Sequence, residues 1–145
     1  MILAILIAAA DEPASSQLAV FKPLVGHCWS ATIAKDTVDR HCFTAMYGGA
    51  HVRDDHVVKA SGREVYSGST IYSVEGEALT LTYYNSMGGV GRGSAKSAGP
   101  DVQFTMTMRA RPGDPPAPHK ATWRIGPDGY TVTNAGGTHL FVRDD

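Results

Sequence analysis

The chain has 145 residues, enough for one domain with a real core and too few for two ordinary ones. With 13 Lys plus Arg against 14 Asp plus Glu, its formal net charge is −1. It therefore lacks the basic excess that counterion release on nucleic acid or anionic membranes requires. Charged residues are 19% and apolar ones 43% of the chain, which excludes wholesale disorder.

The first feature is the unbroken apolar run Ile2 to Ala10. It is too short to span a bilayer as a helix, which takes about 20 residues. It ends in Ala8-Ala9-Ala10 ahead of Asp11-Glu12-Pro13, the small-x-small pattern of a signal-peptidase site. Residues 1–10 are read as a signal-peptide-like segment and 11–145 as a single domain. The expected location is periplasmic or secreted, with no membrane span in the mature chain and no nucleic-acid partner. A short helical segment follows. Ser15 or Ser16 can cap it, and Leu18, Phe21 and Val25 share one face. Pro23 limits it to one or two turns. Its expected job is to close one end of the fold.

From Gly26 onward the pattern has period two. Trp29, Ala31 and Ile33 alternate with Ser30 and Thr32; Leu79, Leu81 and Tyr83 with Thr80, Thr82 and Tyr84; Phe104, Met106 and Met108 with Gln103, Thr105 and Thr107. Such alternation marks half-buried strands. Gly-containing turn signals recur roughly every ten to thirteen residues. Nine or ten strands are predicted, at 26–34, 37–47, 50–59, 63–74, 77–86, 90–97, 101–110, 119–126, 129–134 and 137–143. The connections are too short for crossover helices, so the strands form an antiparallel meander. So many short strands in one small domain favour an all-β, up-and-down barrel, which removes the edges. The proline-rich stretch 111–118 reads as a loop. The run Gly88 to Ser94 reads as a glycine-rich, bent strand and not as a dinucleotide fingerprint, because no helix pattern follows it.

Cys28 and Cys42 flank a polar midpoint at Ala34-Lys35-Asp36. A hairpin turning there sets them opposite each other, with Cβ atoms ~4.5–5.5 Å apart or closer. A disulfide is within reach and is expected in an exported chain. No CxxC pair suggests zinc.

The lead-in, Leu24-Val25-Gly26, Trp29 and the meander behind them resemble the calycin superfamily, and within it the small lipocalin-like bacterial domains of unknown function. The spacing Gly26-His27-Cys28-Trp29 is one residue longer than the lipocalin Gly-x-Trp. The resemblance covers residues 18–143 and implies a barrel with a ligand-sized interior or mouth. It names no ligand, since fold does not fix function. The chain is more distantly similar to the nitrobindins, which hold haem iron through a histidine on the last strand. His139 stands in a similar place. The glycine-rich first-strand pattern of that family is missing from Trp29-Ser30-Ala31-Thr32, and no cofactor is expected.

His27, His41, His51 and His56 fall in the first three strands, with Asp39, Asp54 and Asp55 nearby. Period two puts His51 and Asp55 on one face and Asp54 and His56 on the other, so no four-ligand set is visible. These residues read as ladder pairs on a solvated wall. There is no Gly-x-Ser-x-Gly, and no catalytic residue is assigned. The leading expectation is binding of a small, largely apolar molecule, without chemistry, by Trp29, Tyr84, Phe104, Met106 and Trp123. An acid–base enzyme using interior His and Asp, a haem protein, and a filled barrel serving only for interaction are the alternatives. An aromatic-lined cavity above ~300 Å³ favours binding. A His–Asp pair inside it favours the enzyme.

Overall fold

The computed structural model describes residues 16–145; the signal-peptide-like segment and Ser15 lie outside them. Ten strands form one closed barrel: β1 (Cys28–Ala34), β2 (Thr37–Met46), β3 (His51–Ala60), β4 (Arg63–Glu75), β5 (Ala78–Asn85), β6 (Val90–Ala98), β7 (Asp101–Arg109), β8 (Ala117–Ile125), β9 (Gly129–Asn134) and β10 (Gly137–Arg143). Each strand pairs antiparallel with its sequence neighbours, and β10 returns to β1. The expected strand ends agree to within two residues.

Two expectations need correction. No α-helix precedes the barrel among the described residues. Leu18–Phe21 forms a single 3-10 turn, with Ala19 N–H donating to Ser16 and Lys22 N–H to Ala19. No side-chain cap bond forms at its start. Pro23 has no N–H to carry an α-helical ladder onward. The turn still fills one end of the barrel, because Leu18 and Phe21 are fully buried. The second correction is that Ala117 and Pro118 belong to β8, opposite Met108 and Thr107. Proline is tolerated there because β8 pairs with β9 only from Thr122 to Ile125. Ahead of Thr122 one side of β8 is an edge, where a missing N–H costs little.

The core is built from alternate residues of the inner face, among them Trp29, Phe43, Val52, Tyr72, Tyr130 and Phe141. The Trp29 indole N–H donates to the Leu24 carbonyl at 3.1 Å, tying the lead-in to β1. The β1–β10 seam is short. Its register pairs are Trp29–Arg143 and Ser30–Val142. Asp144 and Asp145 reinforce it: Asp144 N–H donates to the Cys28 carbonyl, Cys28 N–H to the Asp145 carboxylate, and the Ser30 hydroxyl to Asp144.

Cys28 and Cys42 are register partners and form a disulfide across a sequence separation of 14. A loop of this size is worth about 3 kcal/mol in the chain-entropy account. Reduction, or a Cys28→Ser/Cys42→Ser double variant, is expected to lower stability by about that amount in urea unfolding. A variant as stable as the oxidised protein would show the bond to be dispensable. No helix among the described residues is long and apolar enough to cross a membrane.

Candidate functional site

Away from the plugged end the barrel holds a cavity of about 700 Å³. Phe104 and Met106 on β7 and Trp123 on β8 make one wall, His41 on β2 with Asp54 and His56 on β3 make the other, and β5 between them adds Leu81 and Tyr83. Its rim includes Pro118 to Lys120 of β8 and the β9–β10 turn at Asn134 to Gly136. The glycine-rich β6 helps make the space. A Cβ at Gly91 would lie 2.5 Å from the Met106 sulfur. Glycine there lets Met106 lie across β6.

The polar wall follows from strand period and register. On β2, Asp39, His41 and Phe43 point inward; on β3, Val52, Asp54 and His56 do. The β2–β3 hairpin sets His41 directly opposite His56 and Phe43 opposite Asp54. The solvated-wall reading is thereby corrected: these His and Asp residues form one connected interior cluster. His41 Nδ1 donates to the Asp54 carboxylate at 2.8 and 2.9 Å. His41 Nε2 donates to Asp39 Oδ2 at 3.2 Å, and His56 Nδ1 to Asp39 Oδ1 at 3.0 Å. His56 Nε2 pairs with the Tyr83 hydroxyl at 3.0 Å, and Tyr83 with the Tyr66 hydroxyl at 2.6 Å. The result is an unbroken chain of six side chains from Asp54, only 2% exposed, to Tyr66.

The electrostatics are set by burial and by the two carboxylates. Burial alone would push the His41 imidazole down; the Asp54 charge and the hydrogen bonds to Asp39 and Asp54 outweigh it, and its pKa is pushed up to about 10. Burial would raise Asp39, but hydrogen bonds from His41 and His56 hold its carboxyl well below the usual range. Burial, with the bond to Tyr66, pushes the Tyr83 phenol far up. His41 is therefore an imidazolium between two carboxylates, and Tyr83 a neutral phenol.

Gly68 makes the His56–Tyr83 contact possible. A Cβ there would lie 2.5 Å from the Tyr83 hydroxyl oxygen and 2.8 Å from His56 Nε2. The sequence reading missed this residue; it counts Tyr66 among the aromatics that could line a cavity, without joining it to the cluster. The signal was present for part of the cluster. Asp39 and His41, like Asp54 and His56, are two apart, so each pair shares a face. Turning the hairpin at Gly48-Gly49 brings the two pairs together.

Of the residues expected to bind ligand, Phe104, Met106 and Trp123 line the cavity. Trp29 is buried at the plugged end, outside the lining. Tyr84 is 49% exposed and points outward, while Tyr83 faces in. The face Leu79-Leu81-Tyr83 buries more apolar surface than Thr80-Thr82-Tyr84, and that choice sets the register. His27 lies outside near Asp145 at 3.5 Å, and His51 bonds the Ser73 hydroxyl at 2.7 Å. His139 is absent from the residues lining the cavity. No protein-family model matches this chain, and no curated protein matches it significantly.

Proposed function

We propose that this protein binds a small, largely apolar molecule with one polar end in the barrel cavity. The observation that carries this reading is the division of one cavity into two unlike walls. Phe104, Met106 and Trp123 offer apolar surface from β7 and β8, and His41, Asp54 and His56 offer polar atoms from β2 and β3, on the far side of the closed strand order. A volume of about 700 Å³ falls within the ~300–1,000 Å³ typical of small-molecule sites. The ten-strand antiparallel barrel is compatible with a calycin-like fold, which supports the same reading. The disulfide supports an exported protein, since such bonds persist in oxidising compartments.

The interior His–Asp cluster favours acid–base chemistry as a second reading. Its electrostatics count against the simplest form of it. A base must be free to accept a proton near neutral pH, and His41 holds its own proton up to about 10. Binding is the reading that needs nothing further from the residues.

The test is titration with an apolar fluorescent probe, followed through tryptophan emission. The protein is expected to bind it at one site, with quenching of Trp123. Ala121 also lines the cavity, and Ala121→Trp should fill it. That variant is expected to lose at least about tenfold in probe affinity, equivalent to ~1.4 kcal/mol, while keeping its fold by circular dichroism. A wild-type protein that binds no apolar probe would overturn the proposal.

A further inference from the structure

We infer that Asp39, His41 and His56 form a binding site for a first-row divalent metal ion such as Zn²⁺ on the polar wall of the cavity. The inference goes beyond the apolar-ligand reading and needs only that wall. One ligating atom from each of the three residues lies within 4.8 Å of the other two. His41 and His56 stand side by side on paired strands, ring centroids 4.8 Å apart and planes 29° apart. His41 Nε2 and His56 Nδ1 thus come to opposite oxygens of one carboxylate, at 3.2 and 3.0 Å. Two imidazoles and a carboxylate form a donor set suited to borderline ions of the zinc type, not to calcium or magnesium.

The outer partners strengthen the assignment. A metal-binding histidine almost always donates its second ring N–H to a carboxylate, carbonyl or water, which fixes the tautomer and aims the lone pair. Here both rings have such a partner already. Asp54 holds His41 Nδ1 at 2.8 Å, and the Tyr83 hydroxyl stands 3.0 Å from His56 Nε2. Tyr66 in turn holds Tyr83. Asp54 is buried and Asp39 nearly so, so two carboxylates bring two negative charges into a low-dielectric interior. A divalent ion matches them. On binding, the His41 Nε2 proton leaves to solvent, and His56 takes the tautomer that carries its proton on Nε2 and donates it to the Tyr83 hydroxyl; His41 Nε2 and His56 Nδ1, so freed, coordinate the ion. Three protein ligands leave a coordination position toward the cavity, where His41 and His56 line the wall. A water or the polar end of a bound molecule completes the shell, as in sites that keep one position open.

The test uses tag-free, disulfide-intact protein stripped with EDTA and titrated calorimetrically with ZnCl₂, with Co²⁺ as a visible-absorption probe. Saturation at one Zn²⁺ per chain and a Co²⁺ ligand-field band are expected. Tyr83→Phe removes only the outer partner of His56 and should weaken Zn²⁺ about tenfold. Asp39→Asn and His56→Ala remove ligands and should weaken it more, beyond the ~100-fold upper bound for outer partners. His51→Ala, which lies outside the cluster, should bind Zn²⁺ as the wild type does. Wild-type protein that takes up neither ion overturns the inference, as does tight binding that survives Asp39→Asn and His56→Ala. Should Asp39→Asn fail to fold, the His56→Ala affinity and the Co²⁺ band still decide. Running the apolar-probe titration on the stripped protein separates the two proposals: probe binding without metal uptake sinks only this one, and metal uptake without probe binding sinks only the other.

Discussion

His41→Ala is expected to destabilise the metal-free protein by about 3–5 kcal/mol at neutral pH, the range for breaking a buried ion pair by removing one partner. The imidazolium sits between Asp54 and Asp39 and donates one ring N–H to each. Its loss leaves two carboxylates facing each other in the interior, with only His56 to answer them. The penalty comes from the stranded charge and not from the lost contact alone. A His41→Ala/Asp54→Asn double variant should therefore regain part of the loss, because the second change removes one stranded charge while the hydrogen bonds of His41 stay lost. Urea unfolding of EDTA-treated protein checks both. A single variant within about 1 kcal/mol of wild type would mean that the carboxylates are stabilised by something else. The same residue gives a pH signature. His41 titrates near 6.5 when unfolded and at about 10 when folded, so above pH 6.5 the folded state holds more protons. Its contribution is complete below pH 6.5 and is lost as pH rises through about 10. The groups facing it are Asp39 on its own strand and Asp54 and His56 on β3. The alanine variant should lack this alkaline loss.

Phe21→Ala is expected to cost about 3–5 kcal/mol, the range for a buried aromatic truncated to alanine. Phe21 is fully buried, with its ring centroid 4.3 Å from that of Tyr72. Phe43, Phe104 and Trp123 stand within 6.5 Å of it. A 3-10 turn of four residues has little stability of its own, so the plug is held by this insertion. Phe21→Leu keeps most of the apolar volume and should cost much less. A chemical melt separates the two variants. An alanine variant that loses less than about 1 kcal/mol would show that the turn rests on the barrel without filling it.

The strands were legible because one face of each is buried and period two is then unavoidable. Trp29, Phe43, Leu81, Phe104 and Trp123 all stand on their inner faces, as the alternation of their neighbours requires. The disulfide was legible because its hairpin is short and symmetric about Lys35. Faces were harder where both sides carry similar residues. Tyr83 and Tyr84 differ only through Leu79 and Leu81, two and four positions upstream. The charged cluster was hidden by a general expectation that Asp and His face water. Once Asp39 and His41 are put on the inner face, Asp54 and His56 follow from register. Pro118 reads as loop in the sequence because prolines break ladders. It sits in β8 because the shorter β9 leaves that stretch without a second neighbour. Gly68 could not be read at all, since its need comes from two side chains on other strands, which a Cβ there would approach to 2.5–2.8 Å.

The short β1–β10 seam has a kinetic consequence. Every other pair in the barrel joins neighbours in sequence and zips as a hairpin. The seam joins Ser30 to Asp144 across 114 positions. Contacts of such high sequence separation reward the chain only after a long loop has closed, and they slow folding. Barrel closure is thus the late step, in which a curled ten-strand sheet brings its two free edges together. When the disulfide is intact it holds β1 on β2 in register, so β10 then meets a strand already in place. Until then the edges of β1 and β10 are open to any other extended chain, and the period before closure is when a domain-swapped or aggregated species would arise.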